Sequence, residues 1–139
     1  MTHDYRFHHL ALVAKNYDET VRWYQHHFGF TVAKEWTLPP MLPGARMCYL
    51  KRGTFHFEII GDGEKLGSHI VADGPIQDYQ ITGFRHFAFE VDDVDAVIAT
   101  LSADGVPTFF PPTNIDEVGI RAALVRDPEG NAVELIQWL

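Results

Sequence analysis

The sequence predicts an α+β fold built from two copies of a strand–helix–strand–strand–strand unit. Three observations carry this. A strand-like stretch followed by an amphipathic helical pattern opens the chain near residue 7 and again near residue 84. Landmarks then recur at a nearly constant offset: His86, Ala88 and Asp95 follow His9, Ala11 and Asp18 by 77 positions, and Glu134 follows Glu58 by 76. Each half also closes with two apolar stretches around a turn. At 139 residues, 46% hydrophobic and 22% charged, the composition is globular and excludes a disordered or fibrous chain. Neither unit alone buries a sheet face well, so the two are expected to pack together.

The elements follow in order. Residues 7–13 (FHHLALV) read as a strand. A helix runs from about Asp18, a plausible N-cap, to Phe28, with Gly29 as its stop. Tyr17, Val21, Tyr24 and Phe28 form its apolar stripe. Residues 47–50 lead through a turn at 51–54 into a strand at 55–60. In the second half, residues 84–91 read as a strand and Asp92 or Asp93 offers a cap. Val94, Val97, Ile98 and Leu101 form the stripe, and Gly105 stops the helix. One residue is lost after this helix, which shortens the offset from 77 to 76. Residues 121–125 lead through the turn Asp127-Pro128-Glu129-Gly130-Asn131 into a strand at 132–136. The Pro-rich stretches 38–43 and 109–112 read as loops, because proline interrupts a ladder. Module one is thus expected over about 5–61 and module two over about 84–139. The linker, 62–83, reads as an acidic surface excursion carrying Asp62, Glu64, Asp73 and Asp78.

A net charge of −8 argues against binding to nucleic acid or anionic membranes. The single cysteine, Cys48, excludes an internal disulfide and a multi-cysteine metal site, and its apolar strand context reads as buried and inert. The first residues are polar and contain no signal-like or spanning stretch, so a cytoplasmic protein without a membrane segment is expected.

The chemistry-bearing pattern is a His and a Glu repeated in both halves. Strand side chains alternate faces. His9, Ala11 and Val13 therefore share one face, as do His56, Glu58 and Ile60, His86 and Ala88, and Ala132, Glu134 and Ile136. A lone strand histidine usually reads as core, and a lone strand glutamate as solvent-facing. Recurrence at matching places changes the reading. A pseudo-twofold relation would bring two carboxylates together among apolar neighbours, where they repel unless protonated or bound to a cation. A divalent ion with two neutral imidazoles resolves this, and the ligand type suits zinc, nickel, cobalt, manganese or iron.

These residues resemble the vicinal oxygen chelate superfamily, also called the glyoxalase/bleomycin-resistance/dioxygenase superfamily. The likeness covers nearly the whole chain and rests on His9-Leu10-Ala11-Leu12-Val13, Phe28-Gly29-Phe30, Phe57-Glu58-Ile59-Ile60, residues 86–93 (HFAFEVDD) and residues 127–135 (DPEGNAVEL). The resemblance implies paired βαβββ modules forming a curved, mainly antiparallel sheet cup. It implies that His9, Glu58, His86 and Glu134 hold one divalent metal, and that the chain forms a homodimer, with the site made in cis or in trans.

The favoured activity is a metal-dependent isomerase or lyase of the glyoxalase I type acting on a small-molecule substrate. Lewis-acid stabilisation of an enediolate would be combined with a glutamate proton shuttle, Glu134 first and Glu58 second. No residues matching a glutathione site are found. The alternatives are an Fe(II) ring-cleavage dioxygenase using His9, His86 and Glu134, and a non-enzymatic drug-binding resistance protein. Among the remaining residues, His56 reads as a rim or core histidine near the site. Trp36, Met41, Phe109 and Phe110 read as packing or as a substrate mouth, and Arg46, Arg121 and Arg126 as surface ion pairs or a carboxylate anchor.

Overall fold

The computed structural model describes residues 3–139; Met1 and Thr2, part of the polar stretch read above, lie outside the described residues. The chain divides into two compact units, the first ending at Ser68 and the second spanning His69–Leu139. The first holds β1 (His9–Ala14), α1 (Tyr17–Phe28), β2 (Thr31–Trp36), β3 (Ala45–Arg52) and β4 (Phe55–Asp62). The second holds α2 (Pro75–Asp78), β5 (His86–Glu90), α3 (Val94–Ala103), β6 (Thr108–Ile115), β7 (Ile120–Arg126) and β8 (Ala132–Trp138). Each unit forms one four-stranded sheet, ordered β1-β4-β3-β2 and β5-β8-β7-β6. In each, the first and last strands pair in parallel and the other neighbours pair antiparallel. The α+β reading with two βαβββ units is the observed fold. Among the described residues, no helix is long and apolar enough to cross a membrane.

Both long helices are capped at the N-terminus by a side chain. Asn16, not Asp18, caps α1, accepting from the Glu19 amide at 3.1 Å. Asp18 falls inside the first turn, where its carboxylate takes both terminal nitrogens of Arg46 on β3 at 3.1 and 2.9 Å. Asp93 caps α3 through the Ala96 amide at 2.9 Å, and Asp95 takes Arg121 on β7 at 2.6 and 2.8 Å. The Asp18/Asp95 repeat is thus a repeated tether between each helix and the third strand of its sheet. Arg46 and Arg121 are committed to these acids and to Asp62 and Asn114, which removes them as carboxylate anchors. α1 ends as expected, at Gly29 with φ +66°. α3 ends at Ala103, two residues before Gly105, with Asp104 as its cap.

Each helix packs on one face of its sheet. Tyr17, Val21, Tyr24 and Phe28 are buried with Cys48, Leu50, Phe57 and Ile59 in the first unit. Val94, Ile98 and Leu101 are buried with Ala123, Val125, Val133 and Leu135 in the second. In the first unit β4 comes close to α1 at Gly61, where an added Cβ would sit 2.5 Å from Tyr17 Cβ. At the matching place in the second unit stands Gln137, whose amide oxygen accepts from the Val94 N–H at 3.0 Å.

Two further sequence expectations are corrected. Residues 109–112 are strand rather than loop. They lie in β6 at the sheet edge, and the β6–β7 register slips on both sides of Phe110, so Pro111 and Pro112 fall where the ladder is already irregular. Residues 38–43 do form a turn-rich loop. The stretch read as a surface excursion is also partly packed. Asp78 at the end of α2 is buried against Arg85 at 2.6 Å, and the carbonyl of buried Ala72 accepts from Arg126.

Gly61→Ala is expected to destabilise the fold by about 1–3 kcal/mol through overpacking against α1, read as a lower midpoint in urea unfolding with an unchanged slope.

Candidate metal centre

The parallel pairing of first and last strands builds the site. In the first unit His9 lies opposite His56, and Ala11 lies opposite Glu58. His9 and Glu58 are therefore offset by two residues on the same face, opposite the face that packs on α1. A small residue across from the glutamate leaves room for the imidazole to reach over it, and His9 Nε2 lies 3.2 Å from Glu58 Oε2. The second unit repeats this. His86 lies opposite Ala132, Ala88 lies opposite Glu134, and His86 Nε2 is 3.3 Å from Glu134 Oε2. The glutamate side chains are mostly covered, 16% exposed for Glu58 and 14% for Glu134.

Two donors on one divalent ion of the zinc class, at bonds of about 2.0–2.2 Å, sit roughly 3.0–3.4 Å apart. Each His–Glu pair is spaced as one edge of such a coordination shell, and imidazole nitrogen with carboxylate oxygen is a donor set these ions accept. Each pair thus offers two donors of a metal's shell; among the described residues no third histidine, cysteine, aspartate or glutamate donor gathers around either pair.

The surroundings of the two pairs differ. Tyr49 on β3 lies opposite Glu58, its ring 5.4 Å from His9 and 4.7 Å from Trp36. The place opposite Glu134 is taken by buried Leu124. The second unit supplies its aromatic neighbour from elsewhere: Tyr79, just after α2, sets its ring 5.8 Å from His86. Tyr79 is 61% exposed; partial desolvation, with the charges of Glu134 and Asp78, pushes its phenol above its ordinary value. His8 lies 2.7 Å from His9, Nδ1 to Nδ1, and stacks on His56 at 5.7 Å. Sequence reasoning missed Tyr49, Tyr79 and His8 as neighbours of the site. Strand alternation had placed His8 on the other face, but β1 begins at His9 and leaves His8 outside the ladder. The run-up to His9 was the available signal.

Other candidates find plainer roles. Cys48 is buried on the α1 face, and burial raises its thiol. Arg126 stacks over Phe109 at 3.9 Å and donates to the Gly130 carbonyl at 3.0 Å. Met41 is exposed in its loop, while Trp36 packs beside Tyr49 and thus near the first pair.

Comparison with known proteins bears on the family and the fold. The model of the "Glyoxalase/Bleomycin resistance protein/Dioxygenase superfamily" matches residues 6–135. The chain belongs to this superfamily. Among solved superfamily structures, a glyoxalase family protein from Enterococcus faecalis is 30% identical, with 94% of this chain and 96% of that one covered at a TM-score of 0.77. Glyoxalase I from Zea mays shares the fold at 23% identity and a TM-score of 0.74, covering 95% of this chain and 44% of that one. A lactoylglutathione lyase of Arabidopsis thaliana is 26% identical over 136 residues. The chain spans less than half the length of that curated relative, 44% of it.

The hydrogen bond to Glu134 raises His86 above its ordinary 6.5; burial opposes this, and the charges of Glu134 and Asp78 reinforce it. A raised folded value means that the pair stabilises the metal-stripped fold fully below the unfolded value. That contribution is lost as pH rises through the folded one. NMR titration of the metal-stripped protein is expected to give a His86 midpoint above 6.5, moved down by Glu134→Gln.

Proposed function

We propose that the chain is a divalent-metal-dependent isomerase or lyase of the glyoxalase I-like type, with His9, Glu58, His86 and Glu134 holding one metal. The observation that carries this reading is the same His–Glu pair in both units, at 3.2 and 3.3 Å. Zinc, nickel, cobalt, manganese or iron suits the donors. The set is completed within one chain or between the chains of a homodimer. Glu58 lies as close to its histidine as Glu134 does to its own, which favours a four-residue set over the two-His, one-carboxylate set of a ring-cleavage dioxygenase.

When bound, the metal supplies Lewis-acid polarisation of two neighbouring substrate oxygens. The residues do the rest. Glu134, largely covered, paired with His86 and with Leu124 across from it on β7, takes the proton from the carbon next to a carbonyl and returns it to the adjacent carbon. Glu58 is the second carboxylate able to do so. Tyr79 and Tyr49 line the two pairs and can orient substrate oxygens or flank an apolar group. The similarity to lactoylglutathione lyases makes adducts of 2-oxoaldehydes with thiols the first substrates to test.

Metal analysis of untagged protein purified without chelator is expected to find one divalent ion per site, lost in His86→Ala. Glu134→Gln is expected to lower turnover of a 2-oxoaldehyde–thiol adduct by roughly 10²–10⁴-fold. Equal metal in the wild type and in His86→Ala would overturn the site. Oxygen-consuming turnover of catechols, with none of the adducts, would overturn the reaction class.

A further inference from the structure

We propose that Asp78, through its buried ion pair with Arg85, is a positioning residue that holds Tyr79 against His86, and that Tyr79 so held contacts the substrate. The inference rests on the reading of the site proposed above. Asp78 and Arg85 each stand one residue before a member of the Tyr79–His86 contact. The Oδ1–Nη2 bond of 2.6 Å between them therefore ties the chain at the root of both rings, which meet edge-on with centroids 5.8 Å apart.

α2 shows why a tie is needed. Its local bonds close little more than a single turn: the amides of Asp78 and Tyr79 donate to the Gly74 and Pro75 carbonyls, and the Gln77 side chain accepts from the Asp73 N–H. So short a helix does not hold its shape unaided in water. A surface helix ordinarily gains its seat by burying an apolar side chain. Here the sense is reversed. Ile76 is 77% exposed, and the buried side chain of α2 is that of Asp78, at 3%. The helix is seated by an acid.

That pair is poorly made for stability. Asp78 Oδ2 and Arg85 Nε are buried without a hydrogen-bond partner, although a guanidinium and a carboxylate can form two parallel bonds. Burying two charges with polar atoms left over returns little relative to an apolar pair of similar volume, so what the pair orients is the better account of it. What it orients is an exposed ring beside a His–Glu pair. The chain before α2 is fastened separately, by Arg126 to the Ala72 carbonyl and by Val71 over Gly130, so it stays attached when the Asp78 tie is cut.

The test compares wild type with Tyr79→Ala, Asp78→Ala and the double variant Asp78→Ala/Arg85→Met, which leaves no unpaired charge in the fold. In metal-free protein, NMR is expected to show cross-peaks between the Tyr79 and His86 rings. Asp78→Ala and the double variant are expected to lose them while the cross-strand amide contacts of β5 and β8 persist. Zinc affinity, read by competition with a chromophoric chelator, is expected to stay at the wild-type value. With a 2-oxoaldehyde–thiol adduct, Tyr79→Ala and the double variant are each expected to raise KM about fivefold at unchanged kcat, the size of one lost hydrogen bond. Adding Tyr79→Ala to the double variant is expected to cost nothing further. Ring cross-peaks that survive in the double variant overturn the positioning role. So does zinc affinity lost along with them, which would make the pair a support of β5 instead. Wild-type KM in Tyr79→Ala overturns the substrate contact. A wild type that neither binds zinc nor turns over the adducts overturns the reading above and the substrate contact with it; the ring cross-peaks, which need neither, still decide the positioning role.

Discussion

Parallel pairing between the first and last strand of each unit governs where the chemistry can sit. A parallel neighbour cannot be reached by a tight hairpin, so the chain crosses back over the sheet with a helix and returns through two antiparallel strands. That crossover lays α1 and α3 on one face of their sheets and leaves the other face free of the unit's own helix. It also fixes register: Ala11 meets Glu58 and Ala88 meets Glu134, each with its histidine two residues back on the same side. Moving either pairing by one residue would turn the glutamate to the helix face, where an unpaired carboxylate would face an apolar layer.

The helices are held to this task by polar fastenings at their starts. Asn16 and Asp93 satisfy early amides, and Asp18 and Asp95 clamp the arginines of the third strands. These arginine pairs are exposed, so they orient more than they stabilise. The apolar stripes beneath supply the packing energy. Where the units differ, the helix start still has a defined seat. Bare Gly61 lets Tyr17 approach in one, and the Gln137 amide takes the Val94 N–H in the other. Duplication has kept the positions of ligand-type residues while the supports around them diverged, as Tyr49 against Leu124 and His56 against Ala132 also show.

This divergence gives the two His–Glu pairs different surroundings. The first is ringed by His8, His56, Tyr49 and Trp36, all able to stack or share protons. The second is walled by Leu124 and met by Tyr79 from the segment after α2.

The sequence by itself determined the duplication, the strand and helix order, the helix stripes and the His/Glu repeat, because periodicity and turn chemistry are local and survive in one dimension. It could not place His8, since a residue just outside a ladder is free of the alternation that rules its neighbours. It misread residues 109–112 because a sheet edge tolerates proline that a central strand rejects. It missed Tyr79 because that segment is packed within the second unit, in part by the distant contact of Arg126 with the Ala72 carbonyl. The tertiary structure alone decided which strands pair in parallel, and with that the separation of about 3 Å between each imidazole and its carboxylate. Register depends on side-chain packing between strands more than forty residues apart, which no local pattern encodes.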